Sequence, residues 1–290
     1  MKKHKSFKLA GILLFCLIFA SLTSCKSTPD LAPVEPLELL DGDAALYLSI
    51  PVQANAEFLS SAIQKIAGLE PSDAQKITER LDLAHVALGR DGELQFSASG
   101  KIPISFLGFA LNEKKGWSPG VREGQTFYTH KQSLYQLCLP SSSNAFLSHD
   151  IDRMIRRFNK IAWSESSASD KLLSESLGEK QYQFLHDIKS SDILLYAPLP
   201  KAFVSSFLGK EINFPLESIY AILSQYRGVK EQFNVSLTLN LSDSRTTKAC
   251  AALLKTSLFG VPAKVFQSGQ KQITITDLPL TQKRILSMIR

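Results

Sequence analysis

Few side chains in this 290-residue chain are placed to do chemistry. Cys25 is one of them. A thiol is the sulfur nucleophile from which a thioether to a diacylglycerol can form, and this one follows Leu22-Thr23-Ser24 at the end of an apolar run. Cys138 and Cys250 lie far apart in the sequence, and two such thiols fix no pairing; small buried apolar residues are the favoured reading, with a disulfide left open. His85 falls within a run patterned as a strand, which suits a packed, hydrogen-bonded imidazole rather than a ligand. His149-Asp150 and His186-Asp187 each set an acid beside a base, but adjacent residues on a helix point to different sides. The first pair reads instead as a helix start, with Asp150 at the positive end of the dipole. No His-Glu-x-x-His, Gly-x-Ser-x-Gly, Walker or Gly-x-Gly-x-x-Gly motif occurs, so no catalytic residue, metal or other cofactor is assigned.

The residues ahead of Cys25 explain why its thiol matters. Lys2, Lys3, Lys5 and Lys8 make a cationic start without acids, and residues 9–22 are apolar apart from Gly11 and Ser21. That is the order of a signal peptide, with an apolar stretch too short to span a bilayer comfortably. Leu22-Thr23-Ser24-Cys25 resembles the lipobox of bacterial lipoproteins. The resemblance implies a signal peptide over 1–24, cleavage before Cys25 and acylation of that cysteine, usually with three chains. More than one chain anchors stably where one is marginal. It places the protein at the cell membrane or outer membrane, facing the periplasm or the cell exterior. Lys26 stands where an aspartate would resemble an inner-membrane retention signal. Residues 25–40, rich in proline, are expected to form an extended tether.

Charge reads differently once the leader is set aside. The formal net charge is +6, but four lysines and no acids lie in residues 1–24, which leaves +2 for the remainder. A nucleic-acid partner therefore loses its electrostatic support. The remaining partners are the membrane, through the lipid, and an envelope protein.

The elements that must carry any site form two related halves. Asp43-Ala-Ala-Leu46-Tyr47-Leu-Ser-Ile50-Pro51 aligns with Asp192-Ile-Leu-Leu195-Tyr196-Ala-Pro-Leu199-Pro200, and Phe58-Leu59 with Phe207-Leu208. Leu94 to Ala98 can face Val235 to Leu239, and Phe127 through Pro140 matches Phe266 through Pro279. Such self-similarity marks repeated units. Alternation at Leu46, Leu48 and Ile50 predicts a strand; Phe58, Leu59, Ala62, Ile63 and Ile66 share one helix face. Ser72 and Gln75 fit a capping box, and Asp91-Gly92 fits a tight hairpin turn. Residues 102–111 are read as a helix by analogy with 246–259, and strands are expected at 125–130, 133–139, 264–267 and 272–278. The fold class is α+β: tandem modules over 41–163 and 190–290, each a mainly antiparallel sheet with helices on one face, joined by a Ser-rich linker or loop at 164–189.

Two helices carry a cationic theme. Residues 149–163 set Ile151, Ile155, Phe158 and Ala162 on one side, with Arg153, Arg156, Arg157 and Lys160 around the rest. The last helix places Lys283 and Arg284 beside Ile285 and Leu286. On a tethered protein these cations could meet anionic headgroups or an acidic partner, although an ordinary solvated face has the same pattern. The functional expectation is a non-catalytic binding or scaffold lipoprotein. The alternative is an envelope hydrolase or small-ligand carrier with a cleft between the modules.

Overall fold

The computed structural model describes residues 34–103, 111–163, 172–188, 191–201, 215–226, 229 and 231–288. The first half contributes strands β1 (Leu46–Pro51), β2 (Leu81–Leu88), β3 (Leu94–Gly100), β4 (Trp117–Arg122), β5 (Gln125–His130), β6 (Gln136–Cys138) and β7 (Asn144–Ser148). The second contributes β8 (Ile193–Ala197), β9 (Leu216–Gln225), β10 (Gln232–Leu241), β11 (Lys264–Gly269) and β12 (Gln272–Thr281). They form one sheet in the order β11-β12-β10-β9-β8-β1-β2-β3-β7-β6-β5-β4, with neighbours antiparallel throughout. The helices are α1 (Ala56–Ala67), α2 (Pro71–Thr78), α3 (Asp152–Ala162), α4 (Leu173–Leu177), α5 (Glu179–His186), α6 (Thr247–Ser257) and α7 (Gln282–Met288). Pro36–Leu39 forms a 3-10 turn. The fold is thus α+β, built on a large antiparallel sheet. Among the described residues, no helix is long and apolar enough to cross a membrane.

The period-two pattern of the strands sorts their side chains onto two faces. On one face, Leu48 and Ile50 of β1, Leu195 of β8, Leu237 of β10 and Ile275 of β12 join Phe58 of α1 and Leu254 of α6 in a single apolar core. Phe58 meets Phe233 edge-on, 5.6 Å between centroids, so the core runs unbroken from the first half to the second. β1 pairs directly with β8, Tyr47 opposite Tyr196, and the two halves share one sheet.

The other face of the first half is covered too. Leu37, Leu39 and Leu40 are fully buried there, as are Met154, Ile155 and Phe158 of α3, with Phe146 of β7 packed 6.2 Å from Phe158. The tether expected over 25–40 therefore stops short of 34–40. Three leucines within four residues give that segment enough apolar surface to pack rather than remain extended. Helices also lie on both faces of this half, because α3, α4 and α5 join the covering segment. Within the span read as a linker, Leu173 of α4 and Leu185 of α5 are fully buried, so 173–186 is packed structure. β10 keeps the simpler pattern, alternating buried and half-buried residues along its length.

Smaller departures have local causes. Ser72 does not cap α2: Pro71 takes the first helical position after Glu70, and Gln75 bonds Glu79 instead. In the β2–β3 hairpin only Gly92 has positive φ, and a five-residue loop is closed by Gly89 N–H to the Glu93 carbonyl. Strands β4, β7 and β9 escaped the sequence reading; the residues after Pro215, matched with Pro71 ahead of a helical segment, form β9. By position in the sheet, β7 beside β3 corresponds to β12 beside β10, whereas the alignment had matched 133–139 with 272–278. Residues 1–33, 104–110, 164–171 and 202–214 lie outside the described residues, so Cys25, the expected helix at 102–111, most of the Ser-rich stretch and Phe207-Leu208 are not described.

Candidate functional site

The joint between β1 and β8 leaves space on the core face. A cavity of about 650 Å³ is walled by Leu46 and Leu48 of β1, Ile193 and Leu195 of β8 and Leu223 of β9. Phe58 of α1 and Ile285 of α7 close it from the helix side. Its rim is polar, with Arg90 on the β2–β3 loop, Lys201 after β8, and Glu217 at the start of β9. The volume falls within the range of roughly 300–1,000 Å³ typical of small-molecule sites. Among the described residues, the titratable side chains that line it are Arg90, Lys201 and Glu217. Such a site can desolvate a hydrocarbon chain and hold a polar head at the rim.

Ser49, His85 and the cations of α3 that reach Asp41 lie on the opposite face and are committed to structure. Ser49 and His85 are fully buried, with Ser49 Oγ 2.8 Å from His85 Nδ1. Burial lowers the imidazole pKa to about 3, with neighbouring His186 a smaller cause in the same direction. Glu35 lies 3.7 Å from His85 Nε2, but its carboxylate is 35% exposed and its pull is screened, so desolvation wins. Nearby side chains bind the carbonyls of the covering segment: Ser97 Oγ donates to Pro36 at 2.6 Å and Asn144 Nδ2 to Val34 at 2.8 Å.

The basic helix clamps that same segment. Arg157 is buried, with Nη2 2.6 Å from Asp41 Oδ1 and Nη1 donating to the Leu39 carbonyl at 3.3 Å. Arg153 reaches Asp41 Oδ2 at 3.2 Å, while Arg156 and Lys160 are also engaged by neighbours. Lys283 and Arg284 are exposed on α7, and Arg284 is also engaged. Asp150 does serve the helix start: its Oδ1 accepts from Asp152 N–H at 3.1 Å. His149 stacks on Tyr135, 3.8 Å between centroids. Cys138 and Cys250 are both free and buried; burial pushes the Cys138 thiol up to about 12, far from thiolate reactivity. Among the described residues, no cluster of histidine, cysteine or acidic side chains could hold a metal ion. The cavity had no motif to announce it. Its lining leucines are the same residues that pattern the strands.

Comparison with known proteins gives one consistent answer. A family model described as outer membrane-associated lipoprotein TP0453 matches residues 31–286. Outer membrane protein TP0453 of Treponema pallidum (strain Nichols) is 24% identical over 260 residues, covering 88% of this chain and 85% of that protein. Two crystal forms of TP0453 share the fold. Form I has a TM-score of 0.70 at 20% identity, covering 89% of this chain and 97% of the solved one. Form III has a TM-score of 0.67 at 19% identity, covering 89% and 98%.

Proposed function

Because this chain belongs to the family of outer membrane-associated lipoprotein TP0453, we propose that it is an envelope lipoprotein, acylated at Cys25, that carries an apolar ligand without transforming it. The observation that carries this reading is the apolar cavity at the β1–β8 joint. It combines the two expectations raised by the sequence. The protein is non-catalytic, as in the first, and binds a small ligand between its halves, as in the second. Arg90 and Lys201 at the rim favour a ligand whose head is anionic and whose tail is hydrocarbon, each buried methylene contributing about 0.8 kcal/mol.

Displacement of a fluorescent fatty acid tests the site. The wild-type chain is expected to bind it, and Leu195→Trp, which fills the cavity, to weaken binding at least tenfold. Equal binding by both proteins, or none by the wild type, rejects the carrier reading. Labelling with a palmitate analogue tests the anchor independently. Cys25→Ala should abolish uptake, and label retained by the variant rejects acylation at that residue.

The internal duplication belongs to the same proposal. Tyr47 and Tyr196, aligned in the self-comparison, are also the pair that face each other across β1 and β8. A local two-fold axis between the halves would bring a residue opposite its own equivalent at just one point on the seam. Its consequence for function is that the cavity lies where the two copies join.

A further inference from the structure

The two halves differ on the sheet face that turns away from the shared core. In the first half residues 34–40 and α3 cover it; in the second, α5 lies over β8 and β9, where Phe184 meets Tyr220 edge-on at 5.0 Å between centroids. Beyond α5 the outward side chains of β10 and β12 are polar and half-buried. Strand pairing sets them in rows: Ser218, Asn240 and Gln272 form one, and Tyr220, Thr238 and Thr274 the next. A cleft of about 420 Å³ lies over the first row, with Gln181 of α5 and Tyr220 also in its lining.

Hydrogen bonds within the row fix its side chains. Asn240 Nδ2 donates to Ser218 Oγ at 2.9 Å, Gln272 Nε2 to Asn240 Oδ1 at 3.1 Å, and Ser268 Oγ to Gln272 Oε1 at 3.2 Å. Each amide nitrogen carries two hydrogens and uses one in this chain, so the second is held in a fixed place to donate. Tyr220 is set as firmly: Gln181 hydrogen-bonds its hydroxyl, and the Tyr196 ring packs 4.9 Å from its own. Strands stand ~4.8 Å apart, close to the advance of one pyranose unit along a glycan, so successive sugars can meet successive strands. Lys180 on α5 and Lys271 just before β12, both exposed, bring two cations to the cleft, and Glu217 brings one acid. Ordered amides beside an aromatic ring suit a ligand that is polar at its edges and presents C–H groups on its face, as a sugar ring does.

We infer that this cleft, through Asn240, Gln272 and Tyr220, binds a saccharide bearing acetamido and carboxylate groups, the chemistry of a cell-wall glycan. An acetamido group offers the amide row both an N–H and a carbonyl, and Lys271 and Lys180 supply the counter-charge for a carboxylate. The site needs neither the Cys25 anchor nor the apolar cavity, which lies on the other face of the sheet. Glu217, at the start of β9, stands at the rim of both.

Isothermal titration of the full chain in detergent micelles tests it with three tetrasaccharides of equal length: one alternating N-acetylglucosamine and N-acetylmuramic acid, chitotetraose, which lacks the carboxylates, and cellotetraose, which lacks the acetamido groups too. The first is expected to bind about tenfold more tightly than chitotetraose, the effect of one charge-assisted hydrogen bond, and cellotetraose most weakly. Asn240→Leu should weaken both acetylated sugars about tenfold with its thermal unfolding still cooperative. Lys271→Glu, on an exposed turn, should remove most of the difference between those two sugars. No binding of any of the three, cellotetraose bound as tightly as the carboxylated sugar, or unchanged selectivity in Lys271→Glu alone overturns the proposal. Leu195→Trp, which fills the apolar cavity, should leave saccharide binding as it is. Loss of that binding would place the sugar in the cavity and overturn the proposal as well, whereas loss of fatty-acid binding alone bears only on the carrier reading.

Discussion

At the scale of single residues, the buried polar groups determine how the protein answers to pH. His85 keeps a neutral ring in the fold because burial opposes its charge, with Ser49 on Nδ1, and Glu35 and His186 the nearest titratable neighbours. An unfolded histidine titrates near 6.5. Above that pH both states are neutral and the residue has no effect on stability through protonation. As pH falls below it, the unfolded chain takes up a proton that the folded chain refuses until near pH 3, so stability is lost across that window. Between pH 7.5 and 4.5 the loss from this group is about 3 kcal/mol. His85→Gln, which can still bond Ser49 but does not titrate, should flatten the dependence by about that amount in urea midpoints measured at the two pH values. A variant as pH-sensitive as the wild type would mean that the ring is solvated. Neither Ser49 nor Glu35 could be linked to His85 from the sequence, since strand pairing and the covering segment bring them together.

Among the elements, strand periodicity was the most legible feature and the covering segment the least. β1, β5 and β12 fall where alternation placed them, and α1 buries Phe58, Leu59 and Ala62 as its pattern requires. Alternation could not announce β7, whose five residues are all buried, because a strand covered on both faces loses its polar positions. Proline count misled the reading of 34–40, where three leucines outweigh Pro36. The cationic pattern of α3 was visible, but not that Arg157 would turn inward to Asp41. One glycine shows how backbone approach shapes an element. At the β2–β3 register shift, a Cβ on Gly100 would lie 2.1 Å from the Arg80 carbonyl oxygen, a backbone atom that cannot swing aside. That carbonyl also accepts from Lys101 N–H at 2.8 Å. Gly100→Ala should therefore separate the strand ends and cost roughly 1–3 kcal/mol, read as a lowered thermal midpoint. Gly124→Ala, where a Cβ meets nothing within 4 Å, serves as a comparison limited to its positive φ of 79°. Equal losses in the two variants would contradict the steric account.

At the scale of the whole molecule, the continuity of sheet and core sets the cooperativity of unfolding. Two sequence-related halves could unfold one after the other if each had its own core and a linker between them. Here β1 hydrogen-bonds to β8, Phe58 of the first half packs on Phe233 of the second, and the apolar cluster extends from Leu94 and Leu147 through Leu195 to Ile275 and Leu278. Parting the halves would expose two central strand edges and the leucines of the seam together, so the second half should gain little stability on its own. Native-state hydrogen exchange can separate the cases by comparing β3 with β10, each two strands from its seam strand on opposite sides. If the halves are one cooperative unit, their slowest amides should converge on the same opening free energy and the same denaturant dependence. A β10 that opens at a lower denaturant concentration while β3 stays protected would show separate units. Leu195→Ala, cut from the seam, should then lower protection in both strands equally, with a loss of about 2–5 kcal/mol shared across the sheet rather than confined to β8 and its neighbours.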